Sequence, residues 1–334
     1  MAVILALWAL VGIGTALAGR PVAGMEGIGL ATERAEDPLV YISFFGVHRN
    51  LTAACFVCAA GLLLYQCRRG SSRLWRALTA AYLPLAFCAV ALQHSRSNYL
   101  ALAVLMGLSL SYALGRLRRW PGGAAGRAAA LGVLAVSVLV IYMGMGAVSD
   151  GMMALSRSLR ENAPAPVAAA QEPADAAVGA EGSGKAADVM EIVDPRSTIE
   201  DLGTLSGRLT IWRAALQSLG EKPSIALIGQ PEKTMMDRTN EINGTSHVHM
   251  HNILVQQLML AGIPGLLLYC LFLGMVLKKL LPALFRYGGD SGARQAIAAL
   301  LAALLIYGVF EPLLCSRTAA ASLLFCLCAG RLEA

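Results

Sequence analysis

Uninterrupted apolar runs constrain the fold of this chain more than any motif does. A stretch of about 18 or more apolar residues reads as a transmembrane helix, because about 20 residues are needed to cross the hydrocarbon. Backbone groups in lipid find no water, so a spanning segment must be a helix or part of a closed barrel. The runs here are continuously apolar and lack the alternation of barrel strands, which selects helices. Eight spans are expected, over residues 2–18, 51–66, 77–93, 98–115, 128–148, 257–277, 295–310 and 313–329. The first ends in a cleavage-like Ala16-Leu17-Ala18 but has no basic stretch before it, so a retained helix is expected rather than a signal peptide. The fold class is therefore an all-α, polytopic helical membrane protein with about eight transmembrane helices and one large extracytoplasmic loop. Charged residues make up 14% of the chain against about a quarter in soluble domains, which excludes the soluble class.

Basic residues orient the spans. Arg68, Arg69, Arg73 and Arg76 lie between spans two and three, and Arg116, Arg118, Arg119 and Arg127 between spans four and five. Lys278, Lys279, Arg286 and Arg294 lie between spans six and seven, and Arg331 follows the last. Alternating threading puts all four clusters on one side, which predicts cytoplasmic termini. The net charge of +6 then reflects contact with membrane lipids and calls for no nucleic acid.

Three regions follow: residues 1–148 with about five spans, an extracytoplasmic loop over 149–250, and residues 251–334 with about three spans. The loop holds 14 of the 21 acidic residues. Within it, residues 161–187 are rich in Ala, Pro and Gly and poor in large apolar side chains, so disorder is expected there. Residues 206–220 read as a helix, with Ser206 as its cap and Gly220 and Pro223 as stops. Leu209, Trp212, Leu216 and Leu219 fall on one stripe, and Trp212 beside Arg208 and Arg213 suits a helix lying in the membrane interface. The eight cysteines all lie in or beside spans; Cys55-x-x-Cys58 sits in an apolar helix, where small-residue packing is the expected role.

The residues able to carry chemistry gather on the outer side. Arg96, in QHSRSNYLALAVL, enters the membrane at the top of a span, where an ionisable group either marks a substrate path or snorkels to the surface. Arg208 falls in the first turn of the loop helix, where free N–H groups and the dipole favour an anion; it either clamps a phosphate or anchors the helix to head groups. His94, beside Arg96, reads as an interfacial polar residue. His247, His249 and His251 alternate just before the sixth span. They would share one face of a strand, whereas on a helix only His247 and His251 would. Zinc would need a further ligand and an ordered surround, and no metal motif accompanies the three. A single neutral imidazole that accepts a proton from a hydroxyl is the stronger reading.

Arg96-x-x-x-Leu100, and His251-Asn252 followed after nine residues by Gly262-x-x-Gly265-x-x-Leu268, carry a family resemblance. Gly207-Arg208-x-x-x-Trp212, with Pro223 and Gly229 beyond it, adds to it. Over residues 77–312 the chain resembles the O-antigen ligase/polymerase superfamily of bacterial membrane glycosyltransferases. The resemblance implies transfer of a glycan from an undecaprenyl-pyrophosphate carrier to an acceptor hydroxyl outside the cytoplasmic membrane. The acceptor would be a lipid, a glycan or a protein, and neither a nucleotide sugar, a metal nor any other cofactor would take part. Arg96 and Arg208 would grip the pyrophosphate and His251 would activate or orient the acceptor hydroxyl. Asn252 completes the motif, and Gly262 and Gly265 would permit close helix packing below the site. Family members usually have more spans, so this chain reads as either a short form or an N-terminally truncated one. A ligase and a polymerase of repeat units both fit the same residues. A polytopic transporter of surface glycans would instead show internal repeats or half-helices with polar residues at mid-membrane, and neither is evident. A metal-dependent membrane hydrolase would be sensitive to chelators.

Overall fold

The structure, a computed structural model, describes residues 2–18, 28–32, 40–44, 49–70, 72–93, 95–118, 124–161, 208–243, 250–285, 292–311 and 319–332. The elements are α1 (Ala2–Ala18), β1 (Ile28–Thr32), β2 (Val40–Phe44), α2 (Arg49–Arg69), α3 (Arg73–Ala91), α4 (Arg96–Arg118) and α5 (Ala124–Glu161). They continue with α6 (Arg208–Glu221), α7 (Ser224–Ile228), α8 (Glu232–Asn243), α9 (Ile253–Leu284), α10 (Gly292–Phe310) and α11 (Ala319–Arg331). Each of the eight expected spans overlaps a helix, the last from residue 319 on, since 313–318 lie outside the described residues. Six of those helices, α2, α3, α4, α5, α9 and α10, are long and apolar enough to cross a membrane, while α1 and α11 hold shorter apolar stretches, Ile4–Gly14 and Ala321–Arg331. The protein is a polytopic helical membrane protein.

The bundle is built around α10, which packs on α2 and α4, while α4 also packs on α5. Its sequence, GARQAIAALLAALLIYGVF, is apolar and small-residued all round, and a helix of that kind is buried rather than amphipathic. Ala298, Ala299, Leu301 and Ala303 are fully buried. Small side chains let backbones approach, as membrane packing requires when lipid offers no hydrophobic driving force. The outer helices differ. Val136, Leu139, Val140 and Met143 of α5, and Leu267, Leu268 and Leu271 of α9, remain exposed. This is the surface that a bilayer covers, since a protein in water would rarely leave so continuous an apolar patch.

A second apolar core lies apart from the bundle core. Ile211 and Ala215 of α6, Met235 and Met236 of α8, and Met250 and Met259 form it, with Trp212, Leu219, Val255 and Leu260 packed against them. The large loop thus carries its own folded unit, and this corrects the expected stripe on the loop helix. The buried face of α6 runs through Ile211, Ala214, Ala215 and Ser218, whereas Leu209 and Leu216 are exposed. The methionines of α8 set that face, and a hydrophobic stripe read from one helix alone cannot identify its partner. Ser206, the expected cap, lies outside the described residues, as do residues 162–187 of the Ala/Pro-rich segment.

Three further departures from the sequence reading have local causes. The fifth helix continues to Glu161, well past the expected end of its span at residue 148; Asp150, Arg157 and Arg160 end the apolar run without breaking the helix. Residues before α2, read only as an outer segment, contain an antiparallel pair in which Ile28 faces Phe44 and Thr32 faces Val40. The third is the break in α9. Gly262 has φ 67° and ψ −170°, which separates a short first segment from the long one that follows. Pro264 fits the restart, because proline lacks an N–H and sits most readily in a helix's first turn.

The break is also a docking point. A Cβ on Gly262 would stand 2.8 Å from the Leu227 carbonyl, and one on Gly229, itself at φ +72°, would overlap the Leu260 carbonyl. The end of α7 and the kink of α9 therefore meet backbone to backbone, joined by Gln230 N–H donating to the Met259 carbonyl at 3.0 Å. This contact is the close approach that the sequence assigned to Gly262, made with α7 rather than with another span. At Gly265 the nearest neighbour of an added Cβ is Ala261 of the same helix, so that glycine relieves crowding around the break instead of admitting a second helix. Gly229→Ala and Gly262→Ala each force a side chain into a backbone region essentially reserved for glycine, at about 1–3 kcal/mol. Overlap adds about 1–3 kcal/mol more. Both variants should show a lower thermal midpoint in detergent and reduced activity, although neither touches a reacting group.

Candidate functional site

The site lies where the loop unit meets the ends of α2, α4 and α10. It centres on Glu311, which directly follows the last residue of α10 and is almost wholly buried. One of its oxygens, Oε1, gathers three side chains from three parts of the chain. Asn50, near the start of α2, donates its Nδ2–H to it at 2.6 Å. His251 Nδ1 stands 3.4 Å away and Arg208 Nη2 3.6 Å away. A carboxylate can only accept, so the proton of His251 belongs on Nδ1, which leaves the Nε2 lone pair for other chemistry.

Arg208 is the first residue of α6. Its guanidinium carbon lies 5.4 Å from the centre of the Phe310 ring, in cation–π range. Burial pushes its pKa down from the usual arginine value; Glu311 opposes that shift, and the positive charge of Arg96 adds to it. That last effect brings the two arginines into one electrostatic site. Arg96 is the first residue of α4 and is exposed. Below it, the fully buried Asn98 donates to Ser95 Oγ at 2.8 Å and to the Asn50 carbonyl at 3.0 Å, so the α4 turn bearing Arg96 is bonded to the residue that pins Glu311.

His251 is not on a helix. It has φ +50°, in the left-handed region that a non-glycine residue enters only when its surroundings hold it there. The neighbours supply that hold. Met250 is tied at both backbone groups: its carbonyl accepts from Trp212 Nε1 at 2.8 Å, and its N–H donates to Gln256 Oε1 at 3.0 Å. Gln256 in turn donates to Glu232 at 3.2 Å. On the other side, Asn252 caps α9, its Oδ1 accepting from Leu254 and Val255 N–H at 2.9 and 3.1 Å. The same side chain donates to the Val309 carbonyl at 3.0 Å, which fixes the histidine turn against the end of α10.

The spacing of the motifs now has a physical reading. Arg208 and Trp212 are one helical turn apart, so α6 presents the guanidinium toward Glu311 while its indole holds the backbone that leads into His251. The tryptophan is partly buried in that contact. Asn252 follows the histidine because the turn needs a cap that also reaches α10.

Arg96, Arg208, His251 and Asn252 are thus brought together from distant parts of the sequence, and Gly262 holds the loop unit on α9 nearby. His94, His247 and His249 lie outside the described residues. Two members of the cluster, Glu311 and Asn50, were not singled out in the sequence. Glu311-Pro312 does stand between the last two expected spans, at the end of IYGVF, and an ionisable residue in such a place is a signal for function. Asn50 carries no comparable mark.

Fold and site together define a membrane protein with a partly open cationic cluster around a buried carboxylate and an imidazole. The family model described as O-antigen ligase matches residues 81–270. The match spans more than half of the chain and includes Arg96, Arg208, His251, Asn252, Gly262 and Gly265, and the chain belongs to the O-antigen ligase family. No curated protein and no solved structure matches it.

Proposed function

We propose that this protein is a metal-independent glycosyltransferase that moves a glycan from an undecaprenyl-pyrophosphate carrier to an acceptor hydroxyl on a lipid, glycan or protein. The observation that carries the reading is the convergence of Arg208 and His251 on Glu311, with the charge of Arg96 acting on the same guanidinium. Membership of the O-antigen ligase family supports the activity class. The basic residues at the other ends of the spans support a site facing out of the cytoplasm, across a bacterial inner membrane.

In the reaction the acceptor oxygen bonds to the anomeric carbon while the carbon–oxygen bond to the diphosphate breaks. Its electron pair leaves with the phosphate, and negative charge grows there. Arg96 and Arg208 stabilise that growing charge more than they stabilise the bound ground state, which is the condition for a cation to accelerate the step. His251 Nε2 takes the acceptor's proton, and Nδ1–H stays directed at Glu311, which stabilises the imidazolium as it forms. Partial exposure of Arg208 and His251, at 17% and 20% of their side chains, leaves both accessible to substrate, whereas Glu311 at 3% is sealed beneath them.

A strain lacking the gene should accumulate undecaprenyl-pyrophosphate-linked glycan and lose the corresponding surface glycan. Normal carrier-linked pools together with an unchanged surface would refute the reading.

A further inference from the structure

The positive charge of Arg96 acts on Arg208, and among the described residues Glu311 stands beside that guanidinium as a balancing anion. Its position is a compromise. A single oxygen serves Asn50 at 2.6 Å, while His251 at 3.4 Å and Arg208 at 3.6 Å both stand beyond ordinary charge-assisted bond lengths of about 2.7–2.9 Å. The carboxylate is shared between the base and the clamp and is fully committed to neither. We infer that Glu311 is a stand-in anion for the donor's diphosphate: a bound diphosphate takes over Arg208 and leaves Glu311 to hold His251, so the base is set only once the donor is in place.

The inference rests on the proposed transfer reaction and adds an order to it, donor before acceptor. Several observations support the exchange. Arg208 is partly exposed, at 17% of its side chain, and lies over the Phe310 ring, so a ligand can reach it where Glu311 is sealed. Glu311 cannot follow it out, because it is buried and pinned by Asn50. His251 cannot drift, because the residues on either side of it are fixed to α6, α9 and α10. The mobile partner is therefore the arginine. A carboxylate relieved of a cationic partner has more to offer the remaining donor, since a ligand shifts an equilibrium only by what it binds differently in the two states. The order has a use: until a diphosphate is bound, Glu311 is divided between Arg208 and His251, and the imidazole is the weaker base.

Two variants test this with opposite signs. Inorganic pyrophosphate serves as the probe, its binding to the detergent-purified full chain measured by calorimetry, and transfer is measured alongside. Glu311→Gln removes the competing anion, so pyrophosphate should bind at least as tightly as to the wild type, by an expected several-fold gain. Its kcat should fall by about 10²-fold or more, the lower range for loss of a working base. Asn50→Ala frees the carboxylate to close on Arg208, so pyrophosphate should bind several-fold more weakly. A merely structural role would move both variants in the same direction. Weaker pyrophosphate binding in Glu311→Gln, or a kcat equal to wild type, overturns the inference. Unchanged or tighter binding in Asn50→Ala does so even where the glutamine variant fails to fold. Arg208→Ala is the control for the underlying reading: if it leaves pyrophosphate binding intact, the clamp itself is wrong, whatever Glu311 does.

Discussion

His251→Ala is expected to abolish nearly all transfer, by about 10²–10⁴-fold, the usual contribution of a positioned general base, while the protein inserts and folds. The ring sits on a turn whose hydrogen bonds come from Met250 and Asn252 and not from the imidazole, so alanine removes the base without removing the supports. Relief of the positive φ is not gained either, since alanine tolerates that region no better than histidine. The neighbouring histidines separate the two chemical readings of this segment. A single base predicts that His249→Ala is tolerated and that His247→Ala has a modest effect, with no response to a chelator. A zinc site predicts joint loss in at least two of the three and inhibition of the wild type by chelation, reversed by added zinc. Transfer assays on the three single variants, with and without chelator, decide between them.

Arg208→Ala and Arg96→Ala should each lower transfer by about 10²–10³-fold, the scale on which one preorganised charge-stabilising donor contributes. The Arg208 variant carries a second consequence. It leaves Glu311 buried beside Asn50 and His251 without its cationic partner, a penalty beyond the lost grip on the diphosphate. Lysine at either position should restore part of the rate only, because an ammonium lacks the planar fork that matches two phosphate oxygens at once. Arg213, on the same helix but exposed, serves as the comparison, and its alanine variant should stay close to wild type. Donor binding measured separately from turnover completes the test: unchanged affinity for the polyprenyl-pyrophosphate donor in both Arg96→Ala and Arg208→Ala would remove the clamp assignment.

Much of the architecture was legible because lipid imposes so simple a rule. Each expected span corresponds to a helix, since a long apolar run in a membrane has no other way to satisfy its backbone. The ends were less legible. Nothing in the hydropathy of α5 says that its helix continues to Glu161, because a polar helix and a polar loop look alike to that measure. The break in α9 was half visible: Gly262-Ile263-Pro264 is a recognisable interruption, but its docking partner α7 depends on Gly229, more than thirty residues earlier.

The site divides in the same way. Arg96, Arg208 and His251 were readable because charge and imidazole are rare in such a chain, with Arg96 and His251 beside spans and Arg208 in the first turn of the loop helix. Their meeting point was not readable. Glu311 is one carboxylate among 21 acidic residues, and only the packing of α10 at the centre of the bundle places it beneath both Arg208 and His251. Trp212 illustrates the limit from the other side. The arginines flanking this tryptophan say nothing of the Met250 carbonyl that its indole holds, a contact between residues separated by most of the loop unit.

The account stands most directly on reconstituted transfer. Purified protein in liposomes would be supplied with an undecaprenyl-pyrophosphate-linked glycan and an acceptor bearing a free hydroxyl, with chelator present throughout. The expected result is glycan on the acceptor and free undecaprenyl pyrophosphate released in equal amount, with the product lost in His251→Ala and Arg208→Ala. Transfer that requires an added divalent metal, or that proceeds at the wild-type rate in those two variants, would contradict it.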